Sequence, residues 1–237
     1  MKQEYERRLE GLDKYQLEAV NVKGGYNLVI AGPGSGKTTV ITLRILSLIR
    51  SGIDPSEILV VTFTKKAALS MKERFENMIE SPSRMVTFGT FHSVFLSFLR
   101  IYMGISGDMI MDEKIRIKIG FEALKESGML GEYDTEVVTE GLNIISSIKN
   151  GAFKIGMYDE EHVRSFYRIY NNKCRENKLL DYDDIILLTK RLFLKRPEVL
   201  KEIQEKYKYI MIDEYQDINQ KQQDVIDLMS KRYHNLF

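Results

Sequence analysis

Apolar positions along this chain fall into two patterns. Four short runs are apolar at nearly every position: Asn27-Leu28-Val29-Ile30-Ala31, Ile58-Leu59-Val60-Val61-Thr62-Phe63, Met85-Val86-Thr87-Phe88-Gly89, and Tyr207-Lys208-Tyr209-Ile210-Met211-Ile212-Asp213. Short runs without alternation predict strands covered on both faces, as in a parallel sheet. Between the first three, residues 38–51 and 65–79 repeat apolar side chains at helical spacing. Strand, helix, strand, helix, strand predicts right-handed crossovers and a doubly wound α/β sheet flanked by helices.

The pattern then changes. Residues 108–196 hold no strand-like run and no proline. Apolar residues recur there at helical spacing, as in Ile110, Ile115, Ile119 and Leu124, and again in Ile185, Ile186, Leu188 and Leu192. An all-helical subdomain over 108–196 is therefore expected, inserted into a sheet domain made of 1–107 and 197–237. Gly120, Gly128, Gly131, Gly141, Gly151 and Gly156 are expected at its bends and helix ends.

Composition narrows this little. The 237 residues are 43% hydrophobic and 29% charged, ordinary for a globular protein. Lys and Arg number 35 against 34 Asp and Glu, so any nucleic-acid site must be a local groove and not a basic coat. The single cysteine, Cys174, excludes an internal disulfide. The first eight residues are charged and unlike a signal peptide, and no apolar run is long enough for a bilayer. A cytoplasmic protein with no membrane partner is expected.

The chemistry lies where strands end. Ala31-Gly32-Pro33-Gly34-Ser35-Gly36-Lys37-Thr38 follows the first expected strand and opens the first helix, the setting of a Walker A phosphate loop. Glycines let backbone N–H groups turn inward around phosphate oxygens, and the helix N-terminus adds its positive end. Lys37 would meet the β- and γ-phosphates, and the Thr38 hydroxyl would ligate Mg²⁺. The last expected strand ends in Asp213-Glu214. There Asp213 would hold the metal, and Glu214 would orient and deprotonate the water attacking the γ-phosphate of ATP. The bland alternatives are a glycine-rich turn and a solvated acidic turn.

These segments together resemble the UvrD/Rep/PcrA-like superfamily 1 DNA helicases, over residues 12–222. Asp213-Glu214-Tyr215-Gln216-Asp217 is similar to that family's Asp-Glu-x-Gln-Asp box, which adds Gln216 to the catalytic candidates Lys37 and Glu214. The segment 12–20 resembles its adenine-reading motif, in which Gln16 would offer an amide to the base. Val61-Thr62-Phe63-Thr64-Lys65-Lys66-Ala67-Ala68 and Gly89-Thr90-Phe91-His92-Ser93 resemble its two single-strand-binding motifs. The resemblance makes Phe63 a base-stacking candidate, and Thr62, Thr64, Thr90, Phe91 and His92 DNA contacts. By composition alone, Phe63 and Phe91 suit core packing better, and His92 suits a structural role. Thr39 closes the nucleotide loop where the family often has an arginine. Leu180-Asp181-Tyr182-Asp183-Asp184 resembles a further acidic segment, but a helix start with Asp181 as N-cap explains it without chemistry.

The resemblance implies a RecA-like P-loop NTPase fold, the cofactors ATP and Mg²⁺, single-stranded DNA as partner, and further helicase domains that carry the transition-state arginines. It implies that the chain is the N-terminal piece of a longer motor. It also implies a strand between the Walker A strand and the Asp213 strand, which Asn235-Leu236-Phe237 would begin. The competing readings are a P-loop phosphotransferase and a non-catalytic nucleic-acid-binding module.

Overall fold

A computed structural model describes residues 2–79, 86–128, 135–152 and 159–237. The chain divides into two compact units. One comprises Met1–Val94, Phe193–Ile218 and Asp224–Phe237, the other Phe95–Leu192 with Asn219–Gln223.

In chain order the main elements are α1 (Lys2–Glu10), α2 (Lys14–Asn21), β1 (Gly25–Tyr26), α3 (Lys37–Arg50), β2 (Ile58–Thr62), α4 (Lys65–Glu76), β3 (Thr87–Thr90) and α5 (Phe91–Met103). Then come α6 (Glu113–Glu126), α7 (Thr135–Lys149), α8 (Glu160–Glu176), α9 (Tyr182–Lys195), α10 (Pro197–Lys206), β4 (Tyr209–Ile212), α11 (Gln220–Ser230) and β5 (Asn235–Leu236).

The first unit is built on a five-stranded parallel sheet in the order β1-β5-β4-β2-β3. All five positions of β2 are buried, as its unbroken apolar run predicts for a central parallel strand. Val40, Ile41, Leu43, Ile45 and Leu46 of α3 pack into one core with Ile58, Val60, Met71, Phe75 and Met211. Each such side chain contributes roughly 1.5–3 kcal/mol by leaving water. β5 lies between β1 and β4, where the resemblance places a strand.

The first expected strand is corrected. Pairing with β5 stops once Asn27 N–H donates to the Leu236 carbonyl at 2.9 Å. From there β5 turns its remaining bonds to β4, with Ile212 N–H donating to the Phe237 carbonyl at 2.8 Å and Phe237 N–H to the Ile210 carbonyl at 3.0 Å. Leu28, Val29 and Ile30 therefore have no ladder partner among the described residues and are 68%, 41% and 90% exposed. The third expected strand begins within the described residues at Thr87, and Met85 lies outside them.

The second unit is helical. Ile119, Ala123 and Leu124 of α6, Val138, Leu142 and Ile145 of α7, and Phe166, Tyr170 and Cys174 of α8 form its core. Gly120 and Gly141 stand inside α6 and α7 and not at bends. A Cβ at Gly120 would meet the Leu142 side chain at 2.9 Å, and one at Gly141 would meet the Phe166 ring at 3.0 Å. Close helix packing is their role, and it offsets the roughly 1 kcal/mol that glycine costs inside a helix. Gly128 and Gly151 do end helices, at φ 75° and 73°. Gly131 and Gly156 lie outside the described residues.

Candidate functional site

The phosphate loop, the acid pair and the two segments expected to grip DNA follow β1, β4, β2 and β3, on the carboxyl side of the parallel sheet. The loop between β1 and α3 folds on itself, with Ser35 N–H and Oγ donating to the Gly32 carbonyl at 3.3 and 2.7 Å. Gly34 and Gly36 sit at φ 75° and 83°, which a side-chained residue adopts only with strain. Gly36 is the N-cap of α3, and no side chain caps the helix and no acid stands in its first turn. The amides at that end remain available to an anion. The Lys37 ammonium bends back and donates to the Ala31 and Gly32 carbonyls at 3.2 and 3.3 Å. It is thus held over the loop that would enclose phosphate. Thr38 and Thr39 are half-buried in the first turn of α3, and Pro33 is exposed.

Gln16 lies against this loop. Asp13 caps α2 by accepting from the Tyr15 and Gln16 amides, and the Gln16 side-chain oxygen accepts from Asp13 N–H at 3.0 Å. The Gln16 Nε2 donates to the Ser35 carbonyl at 2.9 Å. One donor and one acceptor of its amide remain unspent.

The acid pair follows β4. Asp213 N–H donates to the Val61 carbonyl at 3.0 Å, which continues the β4–β2 ladder to the strand end. Glu214 then takes φ 55°, a left-handed conformation uncommon for a side-chained residue. Burial, then the neighbouring Glu214 charge, pushes the Asp213 carboxyl above its ordinary pKa, against the opposing effect of the Lys37 charge. The Gln216 amide donates to the Glu214 carboxylate at 2.5 Å. Because β1 and β4 flank β5, they stand two ladder spacings apart, roughly 10 Å. Among the described residues no cluster of three or more metal-binding side chains occurs. A magnesium ion here would have one carboxylate, one hydroxyl and nucleotide oxygens, the usual manner of holding it.

The two segments expected to grip DNA emerge side by side, since Thr62 of β2 pairs in register with Thr90 of β3. Their six candidates divide. Phe63 is half exposed, Thr64 is exposed and His92 half-buried. Phe91 is buried, 2% exposed. Thr62 is fully buried, and its hydroxyl donates to the Thr64 carbonyl at 3.0 Å. Thr90 caps α5: Ser93 N–H donates to its hydroxyl at 3.2 Å, and Thr90 N–H donates to the Ser93 hydroxyl at 2.8 Å. Thr64 caps α4 through Ala67 N–H at 3.1 Å. Thr62 and Thr90 thus shape these segments with hydroxyls that point inward.

Within the second unit, Asp184 N–H donates to the Asp181 carboxylate at 3.0 Å and Asp181 N–H to the Asp184 carboxylate at 3.1 Å, the capped helix start expected for α9. Its cation lies 32 and 35 positions upstream. Lys149, 1% exposed, places its ammonium 2.7 Å from both carboxylates. Asp183 accepts from Ser146 at 2.5 Å and Asn150 at 2.8 Å. A lysine on an otherwise apolar face of α7 was the available signal. Ser93, three residues after Thr90, was also legible as a capping partner.

Among the described residues no helix is long and apolar enough to cross a membrane. A family model described as the UvrD/REP helicase N-terminal domain matches residues 12–237. The ATP-dependent DNA helicase PcrA of Bacillus subtilis (strain 168) is 36% identical, over 96% of this chain and 32% of its own length. That of Staphylococcus aureus (strain Mu50 / ATCC 700699) is 34% identical, over 96% and 33%. The chain spans about a third of the length of the curated relatives it matches.

Proposed function

The chain belongs to the UvrD/REP helicase N-terminal domain family, and from that premise we propose that it is the ATP-binding and hydrolysing portion of a motor that moves along single-stranded DNA. The observation that carries this reading is topological: the phosphate loop and the acid pair follow β1 and β4, the two strands that flank β5 in one parallel sheet. The relatives named above are ATP-dependent DNA helicases, which agrees with it. Residues 1–107 and 197–237 are proposed as the RecA-like domain and 108–196 as its helical insertion.

The side chains present suit a magnesium nucleotide. The amides of Gly32, Gly34, Ser35 and Gly36 and the open N-terminus of α3 would receive the phosphates. Lys37 would exchange the Ala31 and Gly32 carbonyls for phosphate oxygens, which offer it a charged partner. Thr38 and Asp213 would hold Mg²⁺. Bound magnesium would neutralise charge on the β- and γ-phosphate oxygens. Glu214, its carboxylate oriented by Gln216, would take a proton from the attacking water. Gln16 would face the adenine edge. Phe63 would stack a base, and Thr64 and His92 would hold the strand beside it.

Among the described residues no arginine shares the polar contacts of Lys37, Glu214 or Gln216. A transition-state arginine elsewhere contributes about 10³–10⁵ in rate. The 237-residue chain alone is therefore proposed to bind Mg·ATP weakly, hydrolyse it very slowly and not unwind.

The test is titration of the chain with a fluorescent ATP analogue, with and without Mg²⁺ and an oligo(dT) strand. Mg²⁺-dependent binding that shifts with the strand is expected. Phe63→Ala should weaken oligo(dT) binding by the roughly 1–3 kcal/mol of a base–aromatic stack. Indifference to DNA would turn the reading toward a phosphotransferase. Absence of Mg·ATP binding would leave a non-catalytic binding module.

A further inference from the structure

We propose that Arg44 is a positioning residue for base recognition: from the helix behind the phosphate loop it clamps the far end of the helix that carries Gln16, and so holds the Gln16 amide in one orientation. This deepens, and rests on, the reading of Gln16 as the group that faces adenine.

Arg44 is 3% exposed, and no carboxylate pairs with it among the described residues. Burial lowers its pKa. An unpaired buried guanidinium is costly, so its surroundings must supply the missing counter-charge. Part of it comes from the C-terminus of α2, while the Arg44 Nε has no hydrogen-bond partner among the described residues. Arg44 Nη1 donates to the carbonyls of Val22 at 2.8 Å, Val20 at 3.3 Å and Ala19 at 3.5 Å. The Phe237 ring stands 4.6 Å from the guanidinium carbon. Those carbonyls are the negative end of the helix dipole. α2 needs the attention, because its C-cap, Val22, is at φ −54°, ψ 132°, without the left-handed closure that usually satisfies a helix end.

α2 is only eight residues long and buries one side chain, Val20. Two turns with so little packing are marginal by themselves. Polar ties hold it instead, and both run to the phosphate-binding segment. Gln16 Nε2 donates to Ser35 at the start of α2, and Arg44 of α3 holds its end.

The consequence is selectivity. With Nε2 on Ser35 and Oε1 on Asp13, the Gln16 amide cannot flip, so its remaining donor and acceptor face out in a fixed order. Adenine offers a donor and an acceptor side by side. Guanine reverses that order on one edge and offers two acceptors on the other. A fixed amide distinguishes them, and an amide on a loosened helix does not.

The experiment compares ATP, GTP and tripolyphosphate binding to the full chain by calorimetry, in wild type, Arg44→Met, Gln16→Ala and the double variant. Arg44→Lys is included as a milder change that keeps the charge. The expected result is a preference for ATP over GTP that drops about three- to tenfold in Arg44→Met, the worth of one or two hydrogen bonds. Arg44→Lys should fall between, tripolyphosphate affinity should stay within about twofold, and the double variant should match Gln16→Ala. An undiminished preference in both Arg44 variants, with Gln16→Ala lowering it, overturns the role of Arg44 alone. Equal loss of ATP and tripolyphosphate in Arg44→Lys overturns it as well, since that marks general disruption. No effect of Gln16→Ala removes the adenine reading and this inference together.

Discussion

Two acidic clusters in this chain look alike on paper and are built in opposite ways. Asp181-Tyr182-Asp183-Asp184 and Asp213-Glu214-Tyr215-Gln216-Asp217 each crowd three acids into five residues or fewer. In the first, the partners are complete. Lys149 bridges Asp181 and Asp184, Tyr170 donates to Asp181 at 3.2 Å, and Ser146 and Asn150 hold Asp183. In the second, Asp213 is part-buried beside Glu214 without an ion pair among the described residues, and its carboxyl is pushed up by burial and by that neighbour. A satisfied cluster stabilises a fold. A cluster left short of positive charge suits the cation proposed for it, and folding stability is the cost.

The largest expected effect comes from breaking the satisfied cluster. Lys149→Met removes the one cation between two buried carboxylates and should cost about 3–5 kcal/mol, as loss of one partner from a buried pair does. Urea unfolding measures it. A cost below about 1 kcal/mol would show that the cluster is not held by its charges. Removing the lysine of the other region should act on binding instead. Lys37→Ala should leave the unfolding midpoint nearly unchanged and weaken Mg·ATP binding by about 1.5–3 kcal/mol, the range for a hydrogen bond to a charged group. Equal nucleotide affinity in wild type and variant would remove the phosphate role of Lys37.

The same contrast sets a pH dependence. Burial opposes the charged form of Asp181, but the Lys149 charge and hydrogen bond outweigh it and hold the carboxyl below its ordinary 3.8. Burial also opposes the Lys149 ammonium, yet Asp181 and Asp184 raise it above its ordinary 10.5. A depressed carboxyl contributes stability above its unfolded pKa and loses it as pH falls. A raised ammonium contributes below its unfolded pKa and loses it as pH rises. Burial and the Asp181 charge raise Asp184, which offsets part of the acid limb. Stability should therefore be flat across neutral pH and decline below about pH 4 and above about pH 10, with the decline smaller in Lys149→Met. Identical profiles in the two proteins would refute the assignment.

How much of this was legible in the sequence follows from how far apart the partners lie along the chain. The Walker A loop and the Asp213-Glu214 pair could be read because phosphate and metal chemistry demands contiguous residues at a strand end. The caps at Asp13, Thr64, Thr90 and Asp181 span three residues, and the last was read from its pattern. Lys149 reaches Asp181 and Asp184 across 32 and 35 positions, and Arg44 reaches back 22 to Val22, distances at which a single sequence carries no pairing signal. Phe63 and Phe91 are chemically the same, yet one is half exposed and the other buried, because burial is decided by distant elements. Leu28, Val29 and Ile30 read as a covered strand because an apolar run reports what a segment needs and not what surrounds it.

The smallest effect is the most discriminating, because its sign is opposite to that of Lys149→Met. A carboxyl with a raised pKa prefers its protonated form, so ionised Asp213 costs stability at every pH above its ordinary 3.8. Asp213→Asn keeps the shape and removes the charge beside Glu214. Without nucleotide or metal, its thermal midpoint should rise, by a gain below about 1 kcal/mol because the site is only part-buried and water screens it. With saturating Mg·ATP the order should invert, since wild type gains binding energy that the variant cannot match. Scans with and without Mg·ATP read both signs in one experiment. An unliganded Asp213→Asn protein that melts below wild type would mean that Asp213 is a structural acid like Asp181, and the distinction between the two clusters would collapse.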